Sequence, residues 1–211
     1  MTVRPDSAEN TVPLEQQPPQ FGARRLLYVG TGALGVMFMP MWAHWLKSSY
    51  PQLELKTMLT RSAQQFVGPA AVLALSGGPL LSDAWPTDSV ATAVHVELTE
   101  WADAVLVHPA TFHFTSRLAM GMADTPLLLA LQCTQAPIAI APALPPGGCT
   151  SSAYLRNLET LAARPNVVVV PPIQGLSATT GKNDASPAAP LPQSIAALER
   201  LSRSLRSEGQ A

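Results

Sequence analysis

The sequence predicts an α/β fold, a single-domain, doubly wound parallel sheet of the Rossmann-like or flavodoxin-like kind with helices on both faces. Three observations lead to this prediction. Short continuous apolar runs, typical of strands covered on both faces, alternate with segments of helical length. The first run passes directly into a glycine-rich turn, Gly30 to Gly35. The chain has 211 residues, 47% of them hydrophobic and 13% charged, which is enough to bury the core of one domain.

The predicted elements alternate along the chain. Strands are expected at residues 26–29, 54–60, 104–107, 137–141 and 167–170, and helices at 36–47, 111–122 and 152–163. The first helix is expected despite Pro40 within it. Ser62 is placed to cap a further helix that starts at Ala63. Parallel strands need crossover connections of this kind, usually helical.

Composition changes near both ends of the chain. Residues 1–22 contain four prolines among polar residues and lack apolar periodicity, which predicts a flexible N-terminal arm before a domain at 23–174. Residues 175–192 are rich in Gly, Ser, Thr and Pro and predict a flexible loop, longer than most loops of a compact domain. Residues 193–211 predict a C-terminal helix and tail.

Charge and cysteine content exclude several classes of protein. The formal net charge is -1 and like charges form no run, so neither a nucleic acid nor an anionic membrane surface is expected as a partner. Cys133 and Cys149 form no C-x-x-C pair, which favours a reducing cytoplasm over a disulfide framework. Apolar stretches are interrupted too early to cross a bilayer.

Two turns at one edge of the predicted sheet carry candidate binding residues. The Gly30-Thr31-Gly32 turn can bring backbone N–H groups onto a phosphate, with the Thr31 hydroxyl as a further donor. The alternative is a tight turn without a ligand. Thr60 and Ser62 follow the second strand and add hydroxyl donors at the same edge, although helix capping also explains Ser62.

Histidines supply the candidate base. His95 precedes Pro109 by fourteen positions and is interpreted as part of a strand-loop segment, which would place it beside the carboxyl end of a strand. The alternative, a hydrogen-bonded structural histidine, holds equally for His95, His108 and His113. Three histidines without a carboxylate or cysteine at ligand spacing predict no metal site.

Between Arg24 and Val170 the chain resembles the homo-oligomeric flavin-containing cysteine decarboxylases, which include the lanthipeptide decarboxylases and phosphopantothenoylcysteine decarboxylase. Gly30-Thr31-Gly32-Ala33 resembles the first FMN-phosphate loop of that family, and residues 59–66 resemble its second flavin-binding segment. His95 falls where the family has its catalytic histidine. The family motif Pro-Ala-Ser-Ala-Asn-Thr here reads Pro109-Ala110-Thr111-Phe112-His113-Phe114.

The chain departs from the family at its substrate-recognition motif, Pro-x-Met-Asn-x-x-Met-Trp. The corresponding residues run from Pro142 to Cys149, and Pro145 replaces the asparagine whose amide helps to hold the substrate carboxylate. Either the Gly147 and Gly148 amides or His113 take over that role, or substrate binding differs. The substrate clamp at residues 175–178 lacks the cysteine with which phosphopantothenoylcysteine decarboxylases reduce their intermediate, which favours net oxidative decarboxylation.

The resemblance implies a flavin-dependent peptidyl-cysteine decarboxylase. Its substrate would be a ribosomally made precursor peptide that ends in cysteine, and its product an enethiol for an aminovinyl-cysteine-type natural product. His95 would be the catalytic base. The implied FMN-binding residues are Gly30, Thr31, Gly32, Ala33, Thr60, Ser62, Phe66, Pro109, Ala110 and Thr111, and the implied substrate-binding residues are His113, Pro142, Gly147 and Gly148.

The resemblance also implies a homo-oligomer, a trimer or a dodecamer, with FMN at the subunit interface. Two alternatives remain open at this point. One is phosphopantothenoylcysteine decarboxylase, which the missing asparagine and cysteine disfavour. The other is a non-catalytic flavin-binding subunit, which the presence of His95 disfavours.

Overall fold

Six strands form one parallel sheet in the computed structural model, which describes residues 17–85 and 93–208. The strands are β1 (Arg25–Gly30), β2 (Glu54–Leu59), β3 (Leu80–Ser82), β4 (Ala104–Thr111), β5 (Ile138–Ala143) and β6 (Val167–Val169). Their spatial order is β3-β2-β1-β4-β5-β6. The prediction of a doubly wound parallel sheet is therefore confirmed.

Helices cover both faces of this sheet. They are α1 (Met39–Ser49), α2 (Pro69–Ser76), α3 (Val94–Trp101), α4 (Phe112–Ala119), α5 (Pro126–Cys133), α6 (Ser152–Ala162) and α7 (Leu191–Glu208). Alternate residues of β1 enter two separate cores: Leu26 and Tyr28 pack with α1 and α7, whereas Leu27 and Val29 pack with α4 and α5. This two-sided burial explains why the strand is continuously apolar.

The connections place a crevice between β1 and β4. The chain moves outward from β1 through β2 to β3 and then crosses back to β4 on the other side of β1. In open α/β sheets, ligands bind at the carboxyl ends of the strands where this reversal occurs.

Several helices differ from the prediction for local reasons. The segment 36–47 is split into a 3₁₀ turn at Leu34–Phe38 and α1, because Pro40 lies in the first turn of α1, where its missing N–H is tolerated. The helix expected after Ser62 is only a 3₁₀ turn at Ala63–Gln65, which the Ser62 side chain does not cap. Strand β3 was not predicted, since three residues give too short a pattern.

The interpretation of His95 as part of a strand-loop segment is wrong. His95 is the second residue of α3, and the apparent alternation around it is misleading. Val94, Leu98 and Trp101 all pack on the core under α4 and α5, and their spacing is that of one helix face.

Residues 17–22, which belong to the flexible arm predicted for 1–22, contact the rest of the domain. The Gly22 N–H donates to the buried Glu199 carboxylate of α7 at 2.8 Å, and the Tyr50 hydroxyl donates to the Pro19 carbonyl at 2.7 Å. The Phe21 ring packs on that of Tyr50. The remainder of the predicted arm, residues 1–16, lies outside the described residues.

The long loop before α7 is held by antiparallel bridges. Leu144 pairs with Ser186, and Gly175 pairs with Ala185. Helix α7 begins at Leu191, two residues before the prediction, and residues 209–211 lie outside the described range. In the described part of the chain, no helix has the length and hydropathy of a bilayer span.

Candidate functional site

Two cavities meet at the carboxyl edge of the sheet. The first, here called the polar cavity, has a volume of about 390 Å³ and lies beside the ends of β1, β2 and β4. The second, here called the apolar cavity, has a volume of about 790 Å³ and lies between the turn after β1 and residues 176–190. Thr111 and His113 line both cavities, so they mark the junction.

Thr31 fixes the turn after β1 to the end of β4. Its backbone N–H and its hydroxyl both donate to the Pro109 carbonyl, at 3.2 and 2.8 Å, and its hydroxyl oxygen accepts the Thr111 N–H at 2.8 Å. Thr31 is only 1% exposed. The hydroxyl proton is therefore committed to Pro109, which corrects the expectation that it is free to donate to a phosphate.

Glycines bring the turns after β1 and β2 into contact. A Cβ atom on Gly32 would lie 2.5 Å from Ser62 Oγ and 3.1 Å from the Ser62 carbonyl carbon, so only glycine fits there. At Gly30 it would lie 2.6 Å from a methyl group of Val36. The Thr60 N–H donates to the Gly30 carbonyl, and the Thr60 and Ser62 hydroxyls lie 3.3 Å apart. We call residues 30–33 with 60–62 the cradle.

Charged groups complete the polar cavity. Arg61 and Arg117 both line it, and Arg117 is paired with Asp124. Asp83 accepts the Leu127 N–H at 3.1 Å, and burial raises the pKa of its carboxyl group, an effect that this hydrogen bond opposes. Hydroxyls and guanidinium groups around one space are suited to a phosphate monoester.

The apolar cavity has a different character. Its described lining contains no Asp, Glu, Lys or Arg, and its titratable side chains are His108 and His113. Met37, Phe38 and Trp42 form one wall, and Phe112 and Leu176 contribute to others. Such a lining suits an uncharged, largely apolar group.

The predicted flavin residues are mostly brought together. Thr31, Thr60, Ser62 and Thr111 line the polar cavity, and Gly32, Ala33, Pro109 and Thr111 line the apolar one. Gly30 and the fully buried Ala110 lie behind this surface and support it. Phe66, which is 42% exposed, lines neither cavity.

The predicted substrate residues divide in two groups. His113 lies at the junction of the cavities. Pro142, Gly147 and Gly148 line neither cavity, whereas the intervening residues 143–146 form part of the apolar wall. The replacement donors expected at Gly147 and Gly148 are thus outside the two cavities.

His95 also lines neither cavity of its own chain. Its ring packs on that of Trp85 with centroids 5.7 Å apart, and its Nδ1 is buried without a partner among the described residues. The Trp85 indole N–H donates to the Asp124 carbonyl. Among the described residues, the histidine is linked to the polar cavity through Trp85, Asp124 and Arg117.

Sequence reasoning missed much of the lining. Asp83 follows β3, which is too short to be recognised, and Arg117 is one of several polar residues on α4. Arg61 stands between two predicted residues, which was a usable signal. Met37 and Phe38 are 48% and 49% exposed. In the sequence they look like core residues, and only their exposure in the structure distinguishes them.

Comparison with known proteins agrees with this geometry. The Flavoprotein family model matches residues 15–198. Cypemycin cysteine dehydrogenase (decarboxylating) from a Streptomyces species is 33% identical over 177 residues, which cover 84% of this chain and 91% of that protein. The bifunctional coenzyme A biosynthesis protein CoaBC of Vibrio cholerae is 36% identical over 110 residues, but these cover 52% of this chain and 28% of CoaBC.

Two solved structures are similar over most of the chain. The cypemycin decarboxylase CypD has a TM-score of 0.74 and 30% identity, covering 90% of this chain and 99% of CypD. The FMN-dependent cysteine decarboxylase SpaF has a TM-score of 0.70 and 25% identity, covering 85% of this chain and 97% of SpaF.

The Thr31 contacts lead to a stability prediction. Thr31→Val preserves the shape of the side chain but leaves the Thr111 N–H without its partner, so we expect a loss of about 1–3 kcal/mol in the free energy of unfolding. Thr31→Ser keeps the hydroxyl and should lose less. Urea denaturation of both variants measures the difference, and an equal loss in the two would show that the hydroxyl is not responsible.

Proposed function

The chain belongs to the Flavoprotein family, among the homo-oligomeric flavin-containing cysteine decarboxylases, and on this premise we propose that it oxidatively decarboxylates the C-terminal cysteine of a ribosomally made peptide. The protein is an enzyme and its cofactor is FMN. The observation that carries the proposal is the junction, at Thr111 and His113, of a phosphate-compatible cavity with an uncharged one.

The residues of the polar cavity fit FMN. The Thr60 and Ser62 hydroxyls and the Arg61 guanidinium would hold its phosphate, and Gly32 permits the close contact of the two turns that present them. When bound, FMN supplies a two-electron acceptor for the cysteine side chain. The chain itself must then orient the cysteine, hold its carboxylate, exclude water and remove the thiol proton.

The apolar cavity and His113 provide for the substrate. The uncharged walls would exclude water and hold the residues that precede the cysteine. The exposed His113 imidazole can donate to the carboxylate, a role that Pro145 cannot fill. The carboxylate departs as carbon dioxide once the thiol has become a thioaldehyde, and the electron pair moves onto sulfur to give the enethiol.

The same charge distribution disfavours phosphopantothenoylcysteine as the substrate. That molecule carries a phosphate dianion, for which the described lining of the apolar cavity offers no lysine or arginine. The match to CoaBC, which extends over 28% of that protein, adds little support for the alternative.

His95 would act on the site of a neighbouring subunit. It lines neither described cavity of its own chain, so as a base it would have to reach a site that another copy provides. Leu34 and Phe38, which line the apolar cavity, are 53% and 49% exposed. With Met41, which is 65% exposed, they form an apolar surface at the cavity where such a copy can pack. This arrangement supports a homo-oligomer.

The proposed activity has a direct optical test. Under anaerobic conditions, a short peptide that ends in cysteine should bleach the visible absorption of bound FMN, because oxidation of the thiol reduces the flavin. A peptide of the same sequence that ends in serine should leave the spectrum unchanged. Mass spectrometry should find the cysteine peptide lighter by carbon dioxide and two hydrogens, and a flavin that stays oxidised with varied cysteine peptides would contradict the proposal.

The cradle predicts the effect of one added methyl group on cofactor binding. Gly32→Ala forces the two turns apart at Ser62, so we expect FMN affinity to fall by at least about tenfold, a loss of about 1.4 kcal/mol. Gly68→Ala is the matched control, since its methyl group meets no atom within 4 Å. Fluorescence titration of the apoprotein compares the two, and equal affinities would show that the cradle does not hold FMN.

Subunit mixing tests the location of the base. At an FMN concentration that loads the wild type but leaves most Gly32→Ala sites empty, His95→Ala and Gly32→Ala chains should each have little activity alone. Co-expressed chains should recover about a quarter of wild-type activity, because random mixing completes about one site in four when cradle and base come from different copies. If the base and the cradle of each site came from the same chain, every site in the mixture would contain one of the two substitutions. Absence of recovery in verified mixed oligomers would therefore contradict the proposal.

A further inference from the structure

Residues 175–190, here called the clamp segment, form a wall of the apolar cavity. Leu176 and Ser177, near the start of the segment, and residues 185–190, at its end, line the apolar cavity. Its two halves pair at Gly175 and Ala185, and its return half pairs with Leu144 at Ser186. Beyond Ser186, the path into α7 depends on other contacts.

One of these contacts comes from a histidine at the end of β4. His108 Nε2 lies 2.8 Å from the Ala189 carbonyl oxygen, and the His108 side chain is only 5% exposed. Because a carbonyl oxygen can only accept, the ring must carry its proton on Nε2. Ala189 is fully buried, so its carbonyl has no free access to water as an alternative partner.

His108 is held in the neutral form. Burial lowers the pKa of its imidazole, and its Nδ1 is buried without a partner among the described residues. A proton on Nδ1 would therefore be a buried donor lacking an acceptor. The neutral ring keeps one fixed role, that of a donor to the clamp segment.

The position of His108 also makes the donor rigid. The next residue, Pro109, has its carbonyl fixed by both donors of Thr31, and Tyr28 of β1 packs beside the imidazole with ring centroids 6.4 Å apart. The ring therefore stands on the strand that also fixes the cradle. Its hydrogen bond connects the cradle side of the site to the wall of the apolar cavity.

We propose that His108 is a positioning residue for the substrate, which holds the clamp segment against the apolar cavity through its hydrogen bond to Ala189. The proposal deepens the proposed function and rests on it for the identity of the substrate. The contact itself can be tested without any turnover, so the two can fail separately.

Proteolysis reports on the clamp segment directly. Lys182 is exposed within it, and trypsin cleaves after lysine in backbone that opens locally. In His108→Leu, cleavage at Lys182 should be about tenfold faster than in the wild type. This factor corresponds to a decrease of about 1.4 kcal/mol in the free energy of local opening, the size expected for one lost hydrogen bond. His108→Gln places an amide N–H near the position of Nε2 and should stay within about twofold of the wild type. A Lys182→Gln change in each background identifies the fragment.

Kinetics with the FMN-loaded enzyme then test the role toward substrate. For a peptide that ends in cysteine, His108→Leu should raise KM by about tenfold and change kcat much less, and His108→Gln should restore KM. FMN content should be equal in all three proteins. If circular dichroism shows that the leucine variant does not fold, His108→Asn, with a shorter amide, replaces it with the same expectations.

The outcomes separate the two proposals. Unchanged cleavage at Lys182 in the leucine variant, or a fall in kcat at constant KM, overturns the role of His108. If the wild type turns over no cysteine peptide, the proposed function fails, while the cleavage rates still decide whether His108 holds the clamp segment.

Discussion

The Pro109 carbonyl, which accepts both donors of Thr31, is the contact on which the site depends. It joins the ends of β1 and β4, the two strands between which the direction of winding reverses. The turn after β1 is thereby fixed, and Gly32 can then lie against Ser62 at the end of β2. A buried threonine, whose hydroxyl both donates and accepts within the protein, thus joins two strand ends, and the contact between Gly32 and Ser62 brings the third to the same place. The consequence is a surface whose turns are held together by the protein's own hydrogen bonds and packing contacts.

The distribution of charge divides this surface into a charged part and an uncharged part. In the described lining, the guanidinium groups of Arg61 and Arg117 lie on the side near β2 and α4, and the wall between β1 and the clamp segment carries no formal charge. In the proposed function, the phosphate of the cofactor would bind at one end, and the reacting groups would meet where the polar lining ends. Thr111 and His113 stand at this boundary because β4 passes directly into α4 there. Charge segregation of this kind favours a peptide whose residues before the C-terminal cysteine are uncharged as much as it favours a charged cofactor.

The sequence predicted the strands well where two-sided burial made them continuously apolar, as in Leu26 to Val29, and failed where three residues form β3. It also predicted that Thr60 and Ser62 lie near the turn after β1, because the ends of parallel strands meet at one edge. The local pattern could not show that the Thr31 hydroxyl donates to the Pro109 carbonyl. Nor could it show that Val94 and Leu98 pack on a core as one face of a helix, because both arrangements depend on partners distant in sequence. For the same reason, the sequence could not predict that Asp83 and Arg117 line the polar cavity, or that His108 contacts Ala189. His95 lines neither described cavity of its own chain, and the proposed oligomer, which accounts for this, cannot be read from a single sequence.

The attachment of Gly22 to Glu199 bears on how the chain can be extended. Gly22 leads into β1 at the amino edge of the sheet, and Arg206, near the end of α7, also contacts Glu199. The two ends of the described chain therefore emerge side by side, on the edge opposite to both cavities. A short loop could therefore join residue 22 to residue 206, which would make the described domain a candidate for circular permutation, with new ends placed in an exposed loop.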